Sequence, residues 1–249
     1  MDVSSLLKLL NVVVVVPTYN NDRYLETVIE ALLALTSDVI VVNDGSTDTT
    51  ADILQKQAGR LTLVSYPHNK GKGFALRTGF QKALALGFDY ALTMDSDSQH
   101  KVANIVDFLN ELEQHPGSLI VGSRLLQQPN MPERNTFANK FSNFWFRIQT
   151  GISFPDTQSG FRVYPLHALK KMRFITSRYE TELEMLVRAA WEGIELRAIP
   201  IDVYYPPEGE RISHFHPYRD FMRISLLNTV LTFAAMVYGY PKILSKKLI

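Results

Sequence analysis

Two aspartates one residue apart, Asp95 and Asp97, close the apolar run Tyr90–Met94 and open the segment Asp95-Ser96-Asp97-Ser98-Gln99-His100. In extended backbone, residues i and i+2 point to the same side, so the two carboxylates can converge on one cation. Oxygen-only donors of this kind suit Mg²⁺ or Mn²⁺, which keep some waters and take further ligands from substrate phosphates. Ligands of open α/β sheets gather outside the carboxyl ends of the strands, where this pair is expected to lie. An isolated Asp-x-Asp is equally a solvated turn, so the surrounding elements decide what it means.

Those elements alternate. Val12–Val16, Val39–Val42, Leu61–Ser65, Tyr90–Met94 and Ser118–Gly122 read as strands, the first two as β-branched runs of the kind buried on both faces. Between them lie helical patterns. One follows Asp22 as cap, with Leu25, Val28, Ile29, Leu32 and Leu33 on one face; a shorter one follows Thr47 or Asp48 and ends near Gly59. Gly73–Leu86, with Gly87 at its C-terminal end, and Lys101–Gln114 complete the set. Strands alternating with single helices predict an α/β fold with a mostly parallel sheet.

Four loops then fall on the same sheet edge: Pro17-Thr18-Tyr19-Asn20, Asn43-Asp44-Gly45-Ser46-Thr47-Asp48, His68-Asn69-Lys70-Gly71-Lys72-Gly73 and Asp95-Ser96-Asp97. Tyr19 offers a stacking face, and Asp44 an acceptor for a base imide or amino group. Gly45, Gly71 and Gly73 permit close backbone approach, and Lys70 or Lys72 can meet phosphate charge. The first strand is not followed by GxGxxG, GxxxxGK[ST] is missing, and no GxSxG occurs, so dinucleotide-dependent, P-loop and α/β-hydrolase chemistries are not expected.

These motifs resemble family 2 glycosyltransferases of the GT-A fold. The match is carried by Val15-Val16-Pro17-Thr18-Tyr19-Asn20, the Asn43–Asp48 loop, Asn69-Lys70-Gly71-Lys72-Gly73-Phe74-Ala75 and Met94–His100. Val121-Gly122-Ser123-Arg124, Asp156-Thr157-Gln158-Ser159-Gly160-Phe161-Arg162 and Tyr179-Glu180-Thr181-Glu182-Leu183 narrow it to the branch that makes dolichyl- or polyprenyl-phosphate mannose and glucose. The resemblance implies a three-layer, Rossmann-like GT-A domain over residues 1–213 and a membrane-associated helix over 214–249. It implies donor contacts at Pro17, Tyr19, Asn20, Asp44, Ser46, Lys72, Gly73 and Asp95, with Asp44 on the nucleotide base. Asp95, Asp97 and Gln99 would surround Mg²⁺ or Mn²⁺, while Arg124, Arg134, Ser159 and Arg162 would lie near an acceptor phosphate, with Asp97 and Asp156 also counted among the catalytic groups. The chain departs from the family at Asn21, where a glutamate usually follows the PTYN motif, and at Glu210–Phe215, where a G-x-S-K segment is usual.

The implied reaction is inverting transfer of a hexose from a GDP- or UDP-linked sugar to a polyprenyl phosphate, within cell-envelope glycan synthesis. Such an acceptor is already anionic and needs cations rather than a base. Transfer to a sugar hydroxyl would instead need a carboxylate base, with Asp156, Glu180 or Glu182 as candidates. A non-catalytic nucleotide-sugar-binding protein has less need of a metal clamp. The formal net charge is +1, but residues 1–133 carry 10 Lys/Arg against 15 Asp/Glu, so the basic excess lies in the second half. The absence of cysteine excludes thiolate metal sites and disulfides. Met1–Ser5 show no basic run or cleavage motif, so no secretory leader is expected. Ile224–Tyr240 has no formal charge, and its 17 residues are shorter than a usual membrane span. Flanking Arg219, Arg223, Lys242, Lys246 and Lys247, and the aromatic-rich helix Asn139–Ile152, suit interfacial docking at the cytoplasmic face of a membrane. The stretch Leu125–Glu133, between Arg124 and Arg134, is expected to be a mobile loop. Nucleic acid is not an expected partner; a homo-oligomer is left open.

Overall fold

A computed structural model describes residues 2–124, 133–204 and 217–247. The side chain of Arg134 and residues 125–132 and 205–216, which include the expected mobile loop and the variant Glu210–Phe215 segment, lie outside the described residues.

The five expected strands are present as β1 (Val12–Thr18), β2 (Val39–Asp44), β3 (Thr62–Tyr66), β4 (Tyr90–Thr93) and β5 (Leu119–Arg124). Two more, β6 (Arg162–Pro165) and β7 (Leu196–Ile201), complete a seven-stranded sheet in the order β3-β2-β1-β4-β6-β5-β7. Only β6 runs against its neighbours β4 and β5. All seven residues of β1 and all six of β2 are buried, as continuous β-branched runs in a two-sided sheet require. The helices lie on both faces, and the α/β, GT-A-like three-layer class is the one observed.

Helix α1 (Val3–Leu9) precedes the sheet; α2 (Asp22–Leu33), α3 (Thr50–Lys56), α4 (Lys72–Ala85) and α5 (Ile105–Gln114) connect its first strands. Asn21, not Asp22, occupies the cap position of α2, and Asp22 accepts a bond from Thr49 Oγ1 (2.8 Å). Asp48 does the capping work at α3 from just outside it, accepting from Thr50 N (3.0 Å). A single 3₁₀ turn, Val102–Asn104, breaks the expected Lys101–Gln114 helix before α5. Then follow α6 (Glu133–Thr150), the short α7 (Leu166–Leu169) and α8 (Glu180–Trp191). Helix α9 (Pro217–Ala234) continues through a π-helical turn, Ala235–Gly239, into α10 (Tyr240–Lys247).

Every residue of α8 from Glu180 to Val187 is buried, so its charges must find partners inside the protein. Glu184, with a fully buried side chain, takes bonds from Ile175 N, Thr176 N and Thr176 Oγ1 and pairs with Arg188 Nε at 2.7 Å. This carboxylate fixes the segment leading into α8. Phe74 N adds a bond to Ser177 O (2.9 Å).

Arg162, at the start of the antiparallel strand, is fully buried. Its guanidinium donates to Ser159 O (2.6 Å), Thr157 O (2.9 Å) and Glu182 O (2.8 Å), which ties the Asp156–Phe161 loop to α8. A lysine keeps the charge but not the planar three-way fork. Arg162→Lys is therefore expected to destabilise the protein by about 2–4 kcal/mol in urea unfolding, the cost of orphaning roughly two buried acceptors. Unchanged stability would show that the fork is dispensable.

Candidate functional site

Parallel pairing brings the four loops to one edge. Thr18 stands opposite Asn43, Asp44 opposite Tyr66, and Val15 opposite Thr93, so the residues after β4 rise beside the end of β1. There a cavity of about 600 Å³ opens, lined by Pro17, Thr18, Tyr19, Asn20 and Asn21 of the first loop, by Asp44, Asn69, Gly71 and Lys72, and by Asp95, Ser96 and Asp97. Its remaining wall is Arg178, Tyr179, Arg219 and Arg223.

The loops are stitched together by their own polar side chains. Asn20 adopts a left-handed conformation (φ 45°) and its Oδ1 accepts from Thr47 N (2.7 Å), while its N–H donates to Ser46 Oγ (3.0 Å). Asn21, buried, donates its amide to Ser96 O (2.6 Å) and Ser96 Oγ (2.9 Å), linking the first loop to the Asp-x-Asp loop. A glutamate at this position has no hydrogen to donate. Asp44 lines the cavity and also holds its floor: its carboxylate accepts from Lys70 N (2.7 Å), Gly71 N (2.9 Å) and Asn69 Nδ2 (3.0 Å).

At the centre lies Lys72. Its ammonium pairs with Asp95 at 2.7 Å and Glu182 at 3.0 Å, with only 17% of its side chain exposed. Burial alone would lower its pKa, but the two carboxylates outweigh it and hold the ammonium well above the ordinary lysine value. Burial likewise works to raise Asp95, and Lys72 more than reverses it. Asp97 lacks such a partner: burial and the charge of Asp95 push its pKa up to about 6. His100, buried against the Phe161 ring at 5.0 Å, is pushed down to about 4, chiefly by burial, and stands neutral.

Gly160 makes this packing possible. A Cβ there would lie 2.7 Å from both Asp95 Oδ2 and Lys72 Nζ, and one at Gly73 would lie 1.9 Å from Thr181 Oγ1. The donor set at Asp95 and Asp97 is two carboxylates facing a polar cavity, one of them short of positive charge. That fits a hard divalent cation completed by water and substrate oxygens. Among the described residues no cluster of three or more His, Cys, Asp or Glu forms a protein-only metal cage.

Several sequence-derived residues are placed off the cavity. Gln99 donates its backbone N–H to Asp97 Oδ1 (3.1 Å) and accepts from Tyr204 N (2.9 Å). Gly73 is buried beneath Thr181, and Ser46 serves as a loop stitch. Arg124 forms a two-pronged pair with Asp156, at 2.7 Å through Nε and 3.0 Å through Nη2. Asp156 is fully buried and also accepts from Asn139 Nδ2 (2.6 Å) and Gln158 N (2.9 Å). Burial would raise its pKa; Arg124 outweighs that and keeps it low. Ser159 and Arg162 are buried behind the same wall. Of the other base candidates, Glu182 is bound to Lys72, and Glu180 is buried within α8.

What sequence reading did not place here are Arg178, Tyr179, Arg219 and Arg223. Arg219 and Arg223 carried a signal, a basic pair four residues apart before an uncharged stretch, but it pointed to a membrane surface rather than to this cavity.

A family model described as glycosyl transferase family 2 matches residues 13–173. Among curated relatives, the UDP-N-acetylglucosamine–dolichyl-phosphate N-acetylglucosaminyltransferase of Methanococcus voltae is 29% identical over 212 residues, covering 77% of this chain and 84% of the relative. The undecaprenyl-phosphate mannosyltransferase of Micrococcus luteus is 28% identical over 203 residues, covering 77% and 83%. Among solved structures, glucosyl-3-phosphoglycerate synthase from Mycobacterium tuberculosis, in complex with Mn²⁺, UDP-glucose and phosphoglyceric acid, superposes with a TM-score of 0.66 at 19% identity, over 94% of this chain and 82% of that one. At that identity the likeness is one of fold.

Gly160→Ala separates architecture from site chemistry. Its methyl meets the flexible ends of Lys72 and Asp95, not backbone, so melting is expected within about 2 °C of wild type, a surface-scale effect of roughly 0.5 kcal/mol. Binding of Mn²⁺ with a nucleoside diphosphate, followed by calorimetry, is expected to weaken at least tenfold. Unaltered binding would show that the Lys72–Asp95 contact is not needed for it.

Proposed function

The chain belongs to glycosyl transferase family 2, and from that premise we propose that this glycosyltransferase moves a hexose, with inversion, from a nucleoside-diphosphate sugar to a polyprenyl phosphate. The observation that carries the acceptor class is the division of the cavity wall. Carboxylates Asp44, Asp95 and Asp97 stand with the sheet-edge loops, and arginines 178, 219 and 223 complete the wall. Meanwhile Asp156, Glu180 and Glu182, the carboxylates suited to deprotonate a sugar hydroxyl, are buried or ion-paired behind it. A wall of this kind suits an acceptor that arrives already ionised. The names of the Methanococcus voltae and Micrococcus luteus relatives, which act on dolichyl and undecaprenyl phosphate, support the same reading.

In this reading Tyr19 stacks on the base and Asp44 accepts from its edge, while Pro17, Asn20 and Ser46 shape the first two loops around the nucleoside. Asp95 and Asp97, backed by Gln99, would hold Mg²⁺ or Mn²⁺, which when bound supplies Lewis-acid neutralisation of the leaving diphosphate. Lys72 holds Asp95 in place and supplies fixed positive charge beside the diphosphate. An acceptor phosphate oxygen attacks the anomeric carbon from the face opposite the diphosphate; the new C–O bond forms as the old one breaks, and the nucleoside diphosphate leaves. No proton is taken from the acceptor, so no base is required. Arg124, Asp156, Ser159 and Arg162 act through the shape of the wall they hold; Arg134 belongs to the acceptor side.

The C-terminal helix fits a membrane-bound acceptor. From Tyr218 to Lys246 it is long and apolar enough to cross a membrane by length and composition. Its polarity is the reverse of a soluble helix. Asn228 is buried and bonded to Gln149 of α6 (3.1 Å), whereas Tyr218, Met222, Leu226, Phe233 and Val237 face outward on one stripe, each at least 53% exposed. Phe144 of α6 is exposed as well. An outward apolar stripe on a helix whose other side packs against α6 and α8 supports docking in the interface, at the cytoplasmic face, with residues 1–213 as catalytic domain and 214–249 as anchor.

The test is a panel of UDP- and GDP-linked sugars offered with polyprenyl phosphate in detergent, with and without Mn²⁺. One sugar is expected to be transferred to the lipid phosphate, with activity lost in EDTA and in a folded Asp97→Asn variant. Full wild-type activity in EDTA would overturn the metal assignment. Transfer to a sugar hydroxyl but never to polyprenyl phosphate would overturn the acceptor.

A further inference from the structure

We propose that Arg178, Arg219 and Arg223 form the subsite that receives the phosphate of a lipid-phosphate acceptor. The proposal deepens the acceptor reading above and rests on it. Four cationic side chains line the cavity, and one of them, Lys72, is already taken by Asp95 and Glu182. Arg178 and Arg219 have no carboxylate within ion-pair distance among the described residues. Arg223 shares Asp220 at 3.2 Å, a carboxylate that is itself buried. The arginines suggested by the sequence motifs are otherwise engaged, Arg124 by Asp156 and Arg162 by three backbone carbonyls. Among the described residues, the capacity to hold a second anion in this cavity therefore falls to these three.

The three are positioned before any ligand arrives. Arg178 follows the segment fixed by Glu184, and its side chain lies so close to Gly71 that a Cβ there would fall 2.6 Å from Arg178 Cγ. Arg219 and Arg223 lie one turn apart on α9, so their guanidiniums project from the same face. Guanidinium is the side chain best matched to phosphate, because its fork makes two parallel charge-assisted bonds.

What selects a lipid phosphate over the donor's diphosphate is the element that carries two of the arginines. On α9, Tyr218 (80% exposed), Met222 (53%) and Leu226 (68%) adjoin Arg219 and Arg223 and face outward. A phosphate held by the arginines thus has an apolar track beside it along which an isoprenoid chain can leave the cavity. The donor diphosphate has its own cation in Lys72, beside Asp95. The C-terminal helix is, on this account, both anchor and substrate-binding element.

The probe is farnesyl phosphate, titrated by calorimetry into the full chain with Mn²⁺ and nucleoside diphosphate present, beside farnesol and inorganic phosphate. Arg219 and Arg223 are exposed, so Arg219→Ala and Arg223→Ala should fold, which melting curves check. Each is expected to weaken farnesyl phosphate binding at least tenfold and to leave nucleoside diphosphate affinity within twofold, with partial recovery in Arg219→Lys and Arg223→Lys. Arg178→Ala should follow the same pattern. Farnesol is expected not to bind, and inorganic phosphate to bind weakly at the same residues. Unchanged farnesyl phosphate affinity in the alanine variants would overturn the proposal, as would an equal loss of nucleotide affinity, which would move the arginines to the donor. Equal binding of farnesol would also overturn it. Binding that depends on the arginines without any sugar transfer would leave the subsite standing and refute the proposed reaction instead. A wild type that binds no farnesyl phosphate refutes both.

Discussion

An ammonium held between two buried carboxylates organises the functional end of this molecule. Lys72 begins α4, Asp95 ends the loop after β4, and Glu182 lies in the first turn of α8, so one charge cluster joins three elements from distant parts of the chain. A cation at a helix N-terminus opposes the helix dipole, while Glu182 at the start of α8 is favoured by it. Lys72 is tolerated where it stands because two carboxylates face it. Deleting either partner would leave an uncompensated charge in a largely buried place, a loss of about 3–5 kcal/mol for buried pairs in general. Asp97, next along the loop, lacks a cation of its own, and that asymmetry makes the pair a site rather than a structural bridge.

Around this cluster the protein spends most of its buried polarity on holding loops still. Asp44 grips the loop before α4, Asn21 grips the Asp-x-Asp loop, Asp156 and Arg162 fix the loop before β6, and Glu184 fixes the segment before α8. Each is a charged or amide group with several backbone partners, the condition under which buried polar groups stabilise rather than cost. The pattern explains why motif residues that look catalytic serve as supports for others. Precise positioning of reacting groups depends on such support, since small displacements reduce rate steeply.

The valine-rich strands and their four loops were legible because period and loop chemistry are local: β1, β2 and β4 fall within two residues of their expected limits. The antiparallel β6 was not legible, since Arg162–Pro165 is four residues long and its hydrogen bonds lie across the sheet. The same holds for the engagement of Arg162 and Asp156, whose partners are set by the tertiary fold. The C-terminal helix was visible as an uncharged stretch, but its real length was not. Arg219, Arg223, Lys242 and Lys246 lie within the helix rather than beyond it, and its π-helical turn brings Gly239 against Trp191, where a Cβ would lie 2.4 Å from the indole nitrogen. Nothing in the local sequence announces that contact.

The central claim is that Asp95 and Asp97 form one side of a divalent-cation site whose other side is a substrate diphosphate. Titration of Mn²⁺ by electron paramagnetic resonance, with and without UDP and GDP, tests it directly. The account predicts one Mn²⁺ per chain, tightened at least tenfold by one of the two nucleotides and lost in the Asp95→Asn, Asp97→Asn double variant. Mn²⁺ that binds equally well without nucleotide, or that survives loss of both carboxylates, would contradict it.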